Sequence, residues 1–99
     1  MRLTEAQRQA IVEETARTFG PQACVRLFGS RVDDSARGGD IDLHIETNGS
    51  PAERLDLELK LYARLIRRLG DRHIDIVVHQ RGEPPRPIDE QAQRTGILL

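Results

Sequence analysis

Short segments in which apolar and polar residues alternate are separated by longer segments in which apolar residues recur at helical spacing. The alternation is clearest in residues 40–46, where three apolar residues lie between acidic residues and one histidine. It recurs in residues 73–79, and residues 24–28 form a shorter, mainly apolar run. A period of two residues is typical of a strand with one buried face. The pattern therefore predicts three strands in these segments.

Capping signals frame the helical segments. Thr4 and Gln7 form a capping box ahead of an amphipathic helix that is predicted to end at Phe19, before a Gly-Pro pair. A Ser-Pro pair begins a long second helix over residues 51–69, and a glycine follows it. A short last helix is predicted for residues 88–94. The long helix carries a broad apolar stripe that we expect to lie in the core: Leu55, Leu57, Leu59, Leu61, Tyr62, Leu65, Ile66 and Leu69.

This order of helices and strands predicts a small α+β domain. We expect a mixed sheet of three to four strands, with helices mainly on one of its faces. The open face is then the place where Asp40, Asp42 and Asp75 would meet. Residues 31–39, between the first two strands, are predicted to form a short helical turn and a loop that could cover a bound phosphate.

Composition limits the classes of function. The chain has 99 residues, which predicts one domain spanning residues 1–99. A net charge of −1 gives no overall basic field, so we expect no direct nucleic-acid binding. The lone Cys24 forms no internal disulfide and fits a reducing compartment. No apolar run reaches the length of a membrane span and the first residues are not a signal peptide, so we expect a cytoplasmic location and no membrane partner.

Asp40 and Asp42 are the clearest candidates for chemistry. They lie on one face of the predicted strand, roughly 6.5 to 7 Å apart along the backbone. Their side chains can lean together and hold one or two divalent ions about 3.5 to 4 Å apart. Upstream, the first strand runs into Gly29-Ser30, where a glycine allows close approach of a phosphate and the serine adds an N–H and a hydroxyl. The sequence therefore predicts a phosphate site beside a metal site.

A Gly-Ser pair, nine intervening residues, the segment Asp40-Ile41-Asp42-Leu43 and a later strand carrying Asp75 resemble the DNA polymerase beta-like nucleotidyltransferase superfamily. Within it, the short chain resembles the minimal nucleotidyltransferases, which are the antitoxin partners of HEPN-domain toxins. The resemblance implies a palm-like domain that uses Mg²⁺ and ATP. It also implies transfer of AMP to a hydroxyl, for which a tyrosine of the toxin is the expected acceptor.

The resemblance assigns roles to individual residues. Asp40, Asp42 and Asp75 would be the catalytic and metal-binding carboxylates, and Asp75 would also help to take the acceptor proton. Gly29, Ser30 and Arg31 would bind the nucleotide. Arg31 has a second interpretation, an ion pair with a neighbouring aspartate of the loop. Taken singly, Asp40 is better explained as a turn residue, Asp42 as a solvated strand residue and Asp75 as an exposed carboxylate on a half-covered sheet. Their coincidence with Gly29-Ser30 favours the site. The three histidines, His44, His73 and His79, are expected to be surface or packing side chains.

Two classes of function remain open. The chain could silence a HEPN toxin by transferring AMP to it, or it could neutralise the toxin by binding alone, with an idle site. The intact set of carboxylates favours transfer, whereas the lack of a second domain to hold nucleotide and acceptor argues against it. A transferase acting on a small molecule such as an aminoglycoside is weakened most by that lack.

Overall fold

Local signals define the ends of the helices in the computed structural model, which describes residues 3–29 and 41–99. Thr4 and Gln7 form the predicted capping box, with both hydrogen bonds 3.0 Å long. The Ser50 hydroxyl accepts the backbone N–H of Ala52. The elements are helices α1 Glu5–Phe19, α2 Pro51–Leu69 and α3 Pro87–Thr95, and strands β1 Cys24–Phe28, β2 Ile41–Thr47, β3 Ile74–Gln80 and β4 Ile97–Leu98.

The strands form one mixed sheet in the order β3-β2-β1-β4. β1 pairs antiparallel with both β2 and β4, whereas β2 and β3 are parallel and are connected through α2. The predicted α+β fold is confirmed, and so are its three main strands, within one or two residues at each end. The fourth strand, β4, follows the last predicted helix and lies outside the three segments in which the sequence predicts strands.

The core lies between the sheet and the helices α1 and α2. Ile41, Leu43 and Ile45 of β2 face these helices and are fully buried, as are Leu61 and Leu65 of α2. The apolar residues of the alternating segment in β2 therefore form the sheet side of the core. The other buried residues of this cluster are Ile11, Phe19, Val25, Leu27, Ile74 and Val78. No helix within residues 3–29 and 41–99 has both the length and the apolarity needed to cross a membrane.

The expectation that the whole apolar stripe of α2 is buried is wrong. Leu55, Leu59 and Tyr62 are 66%, 61% and 42% exposed. They lie on a flank of the helix, rotated away from the line of Leu61 and Leu65 that faces the sheet. A narrow sheet covers only part of a stripe this wide, so an apolar flank remains on the surface.

The opposite face of the sheet carries the polar members of β2, and α3 packs over part of it. Asp89 and Ala92 of α3 are fully buried there, as is His44 of β2. The face is therefore less open than the sequence predicts. The end that carries Asp42 and Asp75 is more accessible, since Asp42 is half-buried and the Asp75 side chain is 56% exposed.

Truncation of a buried leucine of α2 should destabilise the fold strongly. We expect Leu65→Ala to lower the free energy of unfolding by about 2 to 5 kcal/mol, because it removes a fully buried side chain and leaves a cavity. Leu59→Ala makes the same chemical change on the same helix at an exposed position and should alter stability by less than about 0.5 kcal/mol. Urea denaturation of the two variants measures the difference. Equal losses would show that α2 does not pack as described.

Candidate functional site

The parallel pairing of β2 with β3 brings two of the predicted carboxylates together. Asp42 and Asp75 are directly opposite each other in the register of the two strands. Adjacent strands lie roughly 4.8 Å apart, and side chains in register point to the same face. Asp42 is opposite Phe28 of β1 on its other side. Gly29, which follows Phe28, therefore lies beside Asp42.

Gly29 is held against the Asp42 carboxylate in a conformation that only glycine adopts easily. Its φ is +76°. A Cβ atom placed on it would lie 3.1 Å from Asp42 Cγ and would overlap Asp42 Oδ2. The chain thus brings backbone into direct contact with the carboxylate, and a larger residue at position 29 would displace it.

Asp75 has a partner that the sequence interpretation did not include in the site. His73 Nε2 lies 3.0 Å from Asp75 Oδ1, and the two side chains are 62% and 56% exposed. The signal was present in the sequence, since residues two apart at the start of a strand share a face. A histidine that contacts a candidate general base can take part in its proton exchange with solvent.

The remaining predicted site residues, Ser30, Arg31 and Asp40, lie outside the described residues. Of the described ones, Gly29, Asp42 and Asp75 are brought together. No three His, Cys, Asp or Glu side chains within residues 3–29 and 41–99 form a cluster that could hold a metal. Of the three predicted metal ligands, the structure describes two, Asp42 and Asp75.

These two carboxylates fit a hard divalent cation. Carboxylate oxygens are the ligands that Mg²⁺ prefers, and Mg²⁺ in nucleotide sites is held by one or two carboxylates together with phosphate oxygens. Asp42 and Asp75 are neighbours on one face, and the missing Cβ of Gly29 lets the Asp42 carboxylate lie against the backbone. The pair of carboxylates suits a metal bound to a phosphate.

Comparison with known protein families gives a match over most of the chain. The model of the family described as polymerase beta, nucleotidyltransferase, matches residues 10–99. The chain belongs to this nucleotidyltransferase family. No curated protein matches the chain significantly.

Membership in the family agrees with the architecture and with the kind of chemistry predicted. The mixed four-stranded sheet with three helices is consistent with a small nucleotidyltransferase domain. Domains of this family generally act on nucleoside triphosphates with the help of a divalent metal. The chain is therefore a nucleotidyltransferase domain, and the pair of carboxylates lies at the edge of its sheet.

A buried polar network anchors α3 to the sheet of this nucleotidyltransferase domain, next to the carboxylates. His44 Nε2 lies 2.8 Å from Asp89 Oδ1, and both side chains are completely buried. Arg86 donates to Asp89 from Nε at 2.9 Å and from its backbone N–H at 2.8 Å, and it also donates to the carbonyl of Val78. No pattern in the sequence indicates this pairing, because His44 and Asp89 are 45 residues apart.

The network keeps Asp89 ionised. Burial alone would raise the pKa of Asp89, but the hydrogen bonds from Arg86 and His44 outweigh burial and hold the pKa well below its usual range. His44 also packs edge-on against Phe28 and is stacked on His79, each with ring centroids 6.4 Å apart. The expectation that the histidines are packing or surface residues is confirmed: His44 and His79 are buried and His73 is exposed.

Gly29→Ala should damage both stability and transfer. The new alanine must keep the positive φ of Gly29, and its methyl group must displace Asp42 Oδ2. Gly70→Ala is the matched control, because Gly70 has a φ of +86° with nothing within 4 Å of the position that a methyl group would take. We expect Gly70→Ala to lower the free energy of unfolding by about 1 to 3 kcal/mol, because its φ of +86° and ψ of 177° are adopted almost only by glycine, and to leave transfer unchanged. If both variants retain full nucleotidyl transfer, the contact between Gly29 and Asp42 has no role in the site.

Asp89→Asn should flatten the acid dependence of stability. Because the pKa of Asp89 is lower in the folded protein than its ordinary value of 3.8, unfolding takes up a proton as the pH falls below that value. The stability that Asp89 contributes is thus fully present above about pH 5 and is lost in more acidic solution. Thermal unfolding from pH 6 to pH 2 should show a smaller decline for Asp89→Asn. Asp56→Asn, which changes an exposed carboxylate, should follow the wild type.

Proposed function

We propose that the chain transfers AMP from ATP to a hydroxyl, a tyrosine, of a HEPN-domain toxin and thereby acts as its antitoxin. The observation that carries this proposal is the placement of Asp42 opposite Asp75, with Gly29 against Asp42. A pair of carboxylates, half-buried Asp42 and exposed Asp75, beside the backbone of Gly29 is suited to a triphosphate and its metal. It is also open to an acceptor that belongs to another protein.

The reaction is a displacement at the α-phosphorus of ATP. The acceptor oxygen forms a bond to this phosphorus, the bond to the bridging oxygen breaks, and pyrophosphate leaves. Asp75 takes the proton of the hydroxyl, and its 56% exposure lets the proton pass on to His73 or to water. Asp75 is thus the base in this proposal.

Asp40 and Asp42 would hold Mg²⁺, with Asp75 completing the site. When bound, Mg²⁺ would neutralise the negative charge that accumulates on the phosphate oxygens. Gly29 and Ser30 would bind the triphosphate through backbone N–H groups and the serine hydroxyl, and Arg31 would contact its oxygens. Binding and orientation by these groups supply a large part of the rate, because phosphoryl transfer depends chiefly on alignment and charge.

Exposed apolar surface beside β3 supports the docking of a partner. Leu59 and Tyr62 of α2 line a groove with Ile74 and Ile76 of β3, the edge strand of the sheet. Asp75 lies between these isoleucines and points to the other face. A helical partner that covers this groove would reach the edge where Asp75 is exposed. Contiguous apolar surface of this kind usually marks an interface.

The same groove supports the second candidate, an antitoxin that acts by binding alone. Leu59 and Tyr62 can bind a partner whether or not the carboxylates take part in chemistry. The two candidates therefore differ in what the carboxylates contribute to neutralisation.

Intact-mass measurement after co-expression with the toxin tests the proposal. We expect the toxin to gain one or more AMP units with the wild-type chain and none with the Asp40→Asn, Asp42→Asn double variant. Asp75→Asn should slow transfer by at least about a hundredfold while melting near the wild type, since an exposed carboxylate contributes little to stability. Neutralisation without added mass, equally strong in the double variant, would refute transfer and leave the antitoxin that acts by binding alone.

A further inference from the structure

The backbone of β3 alternates between the sheet and its outer edge. β3 is an edge strand of the described sheet. In its parallel ladder with β2, the Ile41 N–H bonds to the His73 carbonyl and the Arg81 N–H bonds to the Thr47 carbonyl. Successive residues of a strand turn their N–H and C=O groups to opposite sides, so the odd-numbered residues of β3 bond to β2. Its even-numbered residues therefore turn theirs to the outer edge.

Only the second half of this edge is covered. Arg86 Nη2 donates to the Val78 carbonyl at 2.8 Å, so the arginine side chain lies beside the strand at that point. Covering of this kind is one way in which proteins protect the edges of their sheets. Ile74 and Ile76, in the first half, form no hydrogen bond across the edge with the rest of the described chain. Ile76 is the more accessible of the two, since it is half-buried and Ile74 is buried.

An apolar groove follows the same stretch of β3. Ile74 and Ile76 line it together with Leu59 and Tyr62 of α2, which are 61% and 42% exposed. Asp75 lies between the two isoleucines and points to the other face of the sheet. Side chains of an added strand would alternate in the same way. An extended segment beside Ile76 would therefore place every second side chain in the groove and the intervening one next to Asp75.

A second copy of β3 is poorly suited to this edge. An antiparallel pair with its two-fold axis at Asp75 would place the two Asp75 carboxylates opposite each other, which is unfavourable. An axis at Ile76 would pair Ile74 with Val78, where Arg86 already occupies the edge. A short segment of a different protein meets neither obstacle.

The charges at the edge limit the chemistry of such a segment. Asp42 and Asp75 make one face acidic, so an acidic residue beside Asp75 is disfavoured. In the groove, the charge of Glu58 is offset by two nearby arginines. The segment should therefore carry apolar residues toward the groove and a neutral polar or basic residue toward Asp75.

We propose that an extended segment of a partner protein adds to the sheet as a further strand beside Ile74–Ile76 of β3. A partner that is helical as a whole can contribute such a segment from a loop or a terminus. The proposal deepens the proposed function, because the residue opposite Asp75 would then carry the acceptor hydroxyl. Residues opposite each other in an antiparallel pair have Cβ atoms about 5 Å apart. Addition of the strand itself needs neither ATP nor transfer.

Amide hydrogen exchange in the free chain tests whether the edge is open. The Ile76 N–H should exchange at least about a hundredfold faster than the Val77 N–H, which bonds to β2. The two residues are adjacent in one strand and both half-buried, so Val77 is a matched control. Equal protection of the two amides would show that the edge is covered, and would overturn the proposal.

A short peptide tests strand addition directly. The probe is Lys-Val-Thr-Val-Lys, capped at both ends, which has apolar residues at alternate positions and a hydroxyl residue between them. Titration followed by NMR should shift the Ile76 amide and slow its exchange. A second form, N-methylated on the valines and the threonine, keeps the side chains and loses the N–H donors. It should bind about tenfold more weakly or worse.

The peptide results separate this proposal from the transfer proposal, because neither ATP nor a metal is present. Failure of AMP transfer would leave them unaffected. Absence of peptide binding, or equal binding of the two forms, overturns strand addition. Binding that shifts Tyr62 but leaves the Ile76 N–H unprotected would indicate docking through side chains alone, as by a helix, and also overturns it.

Two variants at one position isolate the edge N–H. Ile76→Pro removes it, and proline is tolerated on edge strands where the missing N–H faces outward. Ile76→Ala loses the same side chain but keeps the N–H. We expect Ile76→Pro to bind the peptide about tenfold more weakly than Ile76→Ala, and equal binding would contradict the proposal. If Ile76→Pro fails to fold, amide exchange and the N-methylated peptide still decide the matter.

Discussion

The register between β2 and β3 is the constraint on which the candidate site depends. Because side chains alternate between the two faces of a sheet, a slip of one residue would turn Asp75 toward α2 and bring Ile74 and Ile76 out of the core. The packing of buried Ile74 and partly buried Ile76 against the core therefore fixes the position of Asp75. The same apolar alternation in β2 fixes Asp42. Core packing thus places the two carboxylates side by side on one face of the sheet.

The network of His44, Asp89 and Arg86 determines how much of this face stays open. A buried carboxylate is tolerated only when its hydrogen bonds are made, and Asp89 accepts from both a histidine and an arginine. These bonds hold α3 over His44, two residues from Asp42. The helix therefore covers the middle of the face and leaves the carboxylate end accessible. The network itself takes no part in the site, but by positioning α3 it determines how accessible the site is.

The parts of the fold that were predicted from the sequence depend on local physics. Capping residues such as Thr4 define helix ends through bonds to their own neighbours, and alternation places Asp42 and Asp75 on faces of their strands. Contacts between distant residues were not predictable in this way. The pairing of His44 with Asp89 needs the relative position of α3, and β4 is a strand only because β1 offers it an edge. Periodicity also does not determine how much of an apolar stripe the sheet covers. For this reason Leu59 was wrongly expected to be buried.

The exposed part of the α2 stripe and the exposed Asp75 both lie at the edge strand β3. A domain of 99 residues buries a smaller fraction of its surface than a larger one. Here the apolar residues of the sheet and of two helices form one core. The edge strand β3 carries the exposed Asp75 on one face and borders a groove beside Tyr62 on the other. Water reaches both. A partner that covered the groove would exclude water from the surface nearest to Asp75, where electrostatic interactions then become stronger. The uncovered apolar flank and the exposed Asp75 are thus two features of the same edge of the described sheet.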